Sequence, residues 1–144
     1  MKGSATRMQT SLYVFAALLA MAFALVAAHF ALIEVGREVI TLRTQGVDGR
    51  WTATRLWIVD DDGTAWLHSG GKGWAERFVG DPIVELQRAG TVQRYRAHPV
   101  PGLHPRIHQR LREKYGFADR WVRFIGPDRE DTLVVRLDPI EPVI

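Results

Sequence analysis

Residues 8–33, MQTSLYVFAALLAMAFALVAAHFALI, carry no Asp, Glu, Lys or Arg, whereas the chain after them is rich in all four. At about 1.5 Å of rise per residue, ~20 apolar residues in a helix cross the ~30 Å hydrocarbon core of a bilayer. The pattern therefore predicts a tail and membrane-anchor helix over residues 1–34 and a separate domain over 35–144. A cleaved signal peptide is the competing reading, with Lys2 and Arg7 ahead of the apolar run and Val26-Ala27-Ala28 as a small-residue cleavage site. The run continues through Phe30, Leu32 and Ile33, which favours an uncleaved single-pass anchor. Lys2 and Arg7 before the helix nearly balance Arg37, Arg43 and Arg50 after it, so the positive-inside rule assigns the domain to neither side.

Beyond residue 36 the periodicity changes. Residues 39–44 and 51–60 are rich in β-branched and aromatic side chains, and Asp61-Asp62-Gly63 before residues 64–69 is a hairpin signal. Residues 83–88 and 91–98 read as a second hairpin around Ala89-Gly90, and Leu133, Val135 and Leu137 alternate in a last strand over 132–138. Helical spacing occurs in Trp74, Phe78 and Val79, and Asp81-Pro82 ends that segment. A longer helix is predicted over 105–115, started by Pro105 and stopped by Gly116, with Ile107, Leu111 and Tyr115 on one face. A second short helix over 117–124 follows. Strands dominate and helices fall only after the third and before the sixth, which fits an antiparallel α+β barrel; a doubly wound parallel sheet would need helices between nearly all strand pairs.

Charge changes this picture little. Nineteen Lys and Arg against sixteen Asp and Glu give +3, and the signs interleave, as in Asp128-Arg129-Glu130-Asp131. A nucleic-acid surface needs clustered positive charge, so no nucleic-acid partner is expected. The absence of cysteine excludes disulfides, thiolate metal sites and a cysteine nucleophile.

Two segments offer chemistry. His68-Ser69-Gly70-Gly71-Lys72-Gly73-Trp74 runs from a predicted strand into a predicted helix. Its glycines allow close backbone approach, the helix start favours an anion, and Ser69 and Lys72 add a hydroxyl and a charge. The same residues also suit a plain connection, since the spacing is not that of a Walker loop. Arg50, Thr52, Thr54 and Arg55 form the second group. Thr52 and Thr54 share one strand face while Arg55 and Trp57 take the other, as either an ordinary amphipathic strand or the lining of a cofactor groove. The five tryptophans suit core or interface positions as well as ring stacking. His29, His68, His98, His104 and His108 show no metal-ligand spacing. Between His104 and His108 stand Pro105, Arg106 and Ile107, with no glutamate, and no metal site is expected.

Leu42-Arg43-Thr44-Gln45-Gly46, Gly49-Arg50-Trp51, Thr54-Arg55-Leu56-Trp57-Ile58-Val59, Ser69-Gly70-Gly71 and Asp81-Pro82-Ile83-Val84-Glu85-Leu86, with the late helical segment from Arg112 to Trp121, together resemble the split β-barrel superfamily. That group includes the deazaflavin-dependent nitroreductase and quinone reductase family and FMN-binding pyridoxamine phosphate oxidase-like proteins. The resemblance covers about residues 36–138 and implies a six-stranded antiparallel split barrel. It also implies a deazaflavin coenzyme or FMN across the strands, with Arg50, Thr52, Thr54 and Arg55 at its phosphate or ring edge. Ser69, Gly70, Gly71, Lys72, Gly73 and Trp74 would close over it. The chain departs from the family pattern at Val47-Asp48, where a basic pair is common, and at Arg55, where proline is common. The expected function is a membrane-anchored oxidoreductase reducing a quinone or similar apolar acceptor, with a bilayer as partner and a homodimer as a common assembly of such folds. The alternative is a non-catalytic subunit or binding module of a membrane complex that has lost the cofactor.

Overall fold

The computed structural model of the chain describes residues 2–69, 77–78, 81–102, 104–129 and 132–141. It divides into two compact units, Met1–Gly36 and Arg37–Ile144. The first is a single helix, α1 (Lys2–Glu34), which extends through the polar tail ahead of the apolar run. Its segment Gln9–Glu34, 26 residues of mean hydropathy 2.4, is long and apolar enough to cross a membrane. Apolar side chains occupy every side of it, the pattern of a span rather than of an amphipathic surface helix.

The second unit is a closed antiparallel barrel of six strands: β1 (Val39–Gln45), β2 (Trp51–Asp61), β3 (Thr64–Ser69), β4 (Ile83–Arg88), β5 (Thr91–Pro101) and β6 (Leu133–Pro139). They close in the order β1-β2-β3-β6-β5-β4. Helices α2 (Pro105–Tyr115) and α3 (Phe117–Ile125) lie between β5 and β6 in the chain, as the sequence predicts. Alternate residues fill the interior: Ile40, Leu42, Ile58, Leu67, Val84, Leu86, Val135 and Leu137 are fully or almost fully buried in one cluster. Val59 and Val134 carry the opposite parity and pack outward against Ile107, Leu111 and Tyr115 of α2. The barrel thus has two apolar layers, one inside and one under a helix.

Of the helix expected near 74–79, only Arg77 and Phe78 fall among the described residues; both have 3₁₀-helical conformation, and Phe78 is buried in the barrel interior. β5 runs three residues past its predicted end, through Pro99 and Pro101. Ala97 N–H donates to Pro82 O at 2.8 Å, just ahead of β4, so the backbone nitrogens of 99 and 101 face beyond the start of that strand. Among the described residues no strand partner continues there, and a proline in that position gives up no ladder bond. Pairing with β6 continues on the other side, from Tyr95↔Pro139 to Pro101↔Leu133.

Asp61 stays in β2 opposite Thr64, which leaves a two-residue loop, Asp62-Gly63. Both loop residues have positive φ, 50° and 75°, the twist that a two-residue hairpin requires. A β-branched side chain in this conformation costs ~1–2 kcal/mol. Gly63→Val is therefore expected to lower stability by about that amount in urea melts, whereas Gly63→Asn should be far milder; equal losses would show that the turn is not read through its dihedral angles.

The β1–β2 ladder stops at Val39↔Trp57. Where Glu38 and Ile58 would form the next pair, the Tyr115 hydroxyl stands between them. It accepts the Ile58 N–H at 3.0 Å and lies 2.8 Å from Glu38 O and 2.9 Å from Ile58 O. Lys114 Nζ also donates to Ile58 O at 2.6 Å and pairs with the Glu38 carboxylate. Arg88 bridges Glu38 and Asp60. The Tyr115 ring stacks on Trp57 at 4.4 Å and 6°. The end of α2 is thereby pinned to the point where two strands part.

Candidate functional site

β2 serves two neighbours unequally. Over Trp51–Trp57 it pairs with β1, but its pairing with β3 covers only Ile58–Asp61. Among the described residues, the first half of β2 therefore has one ladder partner, and its other edge carries no strand.

The predicted groove residues lie along that half-strand. Thr52 and Thr54 share the parity of Leu56 and Ile58, whose side chains pack into the barrel interior, while Arg55 projects on the opposite face with Trp57. Arg77 Nη1 donates to Thr54 Oγ1 at 2.8 Å. Thr52 is exposed, and so is Arg50, whose backbone N–H and guanidinium both approach the Asp48 carboxylate, at 3.1 and 3.7 Å. The acid that stands where a basic residue is common thus draws on the nearest arginine. Arg43 lies over the Trp51 ring at 5.2 Å and bonds Glu85 at 2.7 Å. Ser69, the last residue of β3, pairs with Leu133 of β6. Continuing the β2–β3 register by two residues brings its backbone level with Leu56. Gly70, Gly71, Lys72, Gly73 and Trp74 lie outside the described residues. Arg77 was not among the sequence candidates, because nothing in its spacing ties it to a strand 23 residues earlier.

A second polar group forms under α2. His68 of β3 and His108 of α2 flank Asp128, with His68 Nε2 2.9 Å from Oδ1 and His108 Nδ1 3.2 Å from Oδ2. The two imidazoles meet edge to face at 5.1 Å. Arg123 of α3 contacts Asp128 and bonds the buried Asp119 at 2.8 Å. Burial first, and then the Arg123 charge, push His68 down to about 4; burial and the neighbouring His68 do the same to His108. His68 and His108 are 40 positions apart in the sequence, so no spacing along the chain signals that they meet.

A third feature is an open cleft of about 480 Å³ between the β2–β3 hairpin and the start of α2, lined in part by Asp61, Trp66, His104, Arg106 and Arg136. Asp61 there holds both Arg106 and Arg110, at 2.7 and 3.0 Å, and ties the helix to the hairpin.

No family model matches the chain, and no curated protein matches it. Solved structures do. The heme storage protein HutZ from Vibrio cholerae superposes with a TM-score of 0.53 at 15% identity, over 74% of this chain and 84% of that one. The F420-H2-dependent reductase FDR-A gives 0.53 at 17% identity, over 69% and 93%. An FAD-binding protein from Mesorhizobium loti gives 0.50 at 16% identity, over 77% and 86%. At these identities the likeness is one of fold. With six antiparallel strands closed in this order, the chain has the fold of these structures, the six-stranded antiparallel barrel that its sequence resemblance implies.

Proposed function

We propose that the chain is a membrane-anchored oxidoreductase that uses a flavin or deazaflavin coenzyme to reduce a quinone or similar apolar acceptor. The observation that carries this reading is the half-strand Trp51–Trp57, with one ladder partner among the described residues, in a fold shared with an F420-H2-dependent reductase and an FAD-binding protein. The residues there suit a phosphorylated, planar group. Thr52 and Thr54 offer hydroxyls on one face and Arg77 already reaches that face, while Arg50 at the start of the strand and Arg55 on its other face carry guanidinium groups whose fork matches phosphate. Ser69 at the end of β3 and the glycines after it would close the other side. When bound, such a coenzyme supplies hydride transfer, and the chain's own residues supply binding and orientation. The apolar helix gives the acceptor class its reason: a protein held at a bilayer meets acceptors dissolved in it.

The absorbance spectrum of the detergent-purified chain, before and after addition of FMN or F420, tests the reading. A colourless protein that binds neither would leave the non-catalytic binding module as the better account. The pairing of Arg50 with Asp48 already points in that direction, because it spends one positive charge on the protein itself. A charge-assisted hydrogen bond to phosphate is worth ~1.5–3 kcal/mol net. Arg55→Ala and Lys72→Ala are each expected to weaken coenzyme binding by roughly 10- to 150-fold, at 1.4 kcal/mol per decade, in fluorescence titrations. Their melting temperatures should hardly move. Lost stability with unchanged affinity would make both residues structural.

A further inference from the structure

We propose that His68, His108 and Asp128 form a binding site for one divalent transition-metal ion of the zinc class. This stands independently of the coenzyme. The three residues come from β3, from α2 and from the segment after α3, and each offers one donor atom within 4.8 Å of the other two. Around a tetrahedral zinc, with bonds of about 2.0–2.1 Å, neighbouring donors stand roughly 3.3–3.4 Å apart. The two imidazole-to-carboxylate separations, 2.9 and 3.2 Å, are already near that spacing. Small outward movements of the side chains would admit the ion.

Two further observations favour a cation over a closed hydrogen-bond cluster. Among the described residues the carboxylates of Asp119 and Asp128 both pair with Arg123, so two carboxylates share one guanidinium beside two imidazoles. Finally, Arg123 holds the Asp128 carboxylate from outside, the arrangement in which ligating carboxylates are fixed by a hydrogen-bonded outer shell. Two imidazoles and one carboxylate leave a fourth position for water or a substrate, the ligand count of open rather than structural zinc sites. The same donor set would accept iron(II).

The test uses the full, untagged chain in detergent, stripped with a chelator. Titration with zinc chloride is expected to show saturable binding of one ion per chain. His68→Ala, His108→Ala and Asp128→Asn should each weaken it by more than ~100-fold, beyond the ~10–100-fold typical of outer-shell partners. His98→Ala should bind zinc as the parent does. Cobalt(II) should give the visible absorption of a tetrahedral nitrogen–oxygen site in the parent. Where a variant loses its fold, imidazole 15N spectra of the parent decide: shifts of the His68 and His108 resonances on zinc addition support the site. Absence of saturable uptake by the parent, uptake unchanged in all three folded variants, or zinc that shifts other histidines instead would overturn it.

Discussion

Tyr115→Phe is expected to lower the stability of the barrel by about 1–3 kcal/mol, the cost of leaving a buried donor without its acceptor. The donor is the Ile58 N–H, which meets the Tyr115 hydroxyl just where the β1–β2 ladder ends. Tyr115→Ala also removes the ring stacked on Trp57 and opens a cavity beside Leu111, so its cost should rise to ~3–5 kcal/mol, as for other large aromatic truncations. The two substitutions separate hydroxyl from ring. A pH series checks the hydroxyl independently. Burial pushes Tyr115 up to about 12, against the pull of its bond to Ile58 and with the help of the nearby Glu38 charge. An unfolded tyrosine ionises near 10. Between those values the unfolded chain has released a proton that the folded chain keeps, so the Tyr115 contribution is lost as pH rises. The gap between parent and Tyr115→Phe urea midpoints should therefore narrow from pH 9 to pH 11. A constant gap would mean that the hydroxyl is not held at the parting of β1 and β2.

The second large effect belongs to Arg123. Its guanidinium bonds Asp119, which is only 3% exposed, and also contacts Asp128. Breaking a buried pair by removing one partner typically costs ~3–5 kcal/mol, because the other charge is left uncompensated. Arg123→Met, measured with a chelator present, is expected to fall in that range. Asp119 also lies in the first turn of α3, where the helix dipole favours a carboxylate. That contribution is typically ~0.3–1 kcal/mol and cannot replace the lost cation. Asp119→Asn in the Arg123→Met background should recover part of the loss, since an amide needs no counter-charge. A double-mutant cycle reads this coupling directly. An Arg123→Met variant as stable as the parent would show that the Asp119 carboxylate is hydrated or protonated.

The coenzyme reading and the metal reading concern opposite surfaces of the barrel wall. Thr52 and Thr54 share the interior parity of Leu56, whereas His108 belongs to a helix packed on the outer face. An ion bound by His68, His108 and Asp128 would tie β3 to α2 and to the end of α3. Zinc-dependent stabilisation with unaltered coenzyme titration would fit two separate sites on one small domain.

What the sequence determined by itself was local. The uncharged run over 8–33 announces a helix long enough to span a bilayer, because length and hydropathy need no tertiary partner to be read. Alternation around Leu133, Val135 and Leu137, and the i, i+4, i+8 face of Ile107, Leu111 and Tyr115, announce strand and helix, because burial on one side imposes the period. The candidate strand with Thr52, Thr54 and Arg55 could be placed, with its two faces, for the same reason. The tertiary structure alone decided how the strands close, and hence that, among the described residues, the first half of β2 has a ladder partner on one edge only. It also decided that β5 continues through Pro99 and Pro101, since only the offset between β4 and β5 shows that those nitrogens lie beyond the start of β4. The same holds for Arg77 on Thr54 and for His68 and His108 on Asp128. These contacts join residues 20 to 60 positions apart across neighbouring elements. No periodicity encodes them, because strand register and helix docking, not spacing along the chain, bring such side chains within bonding distance.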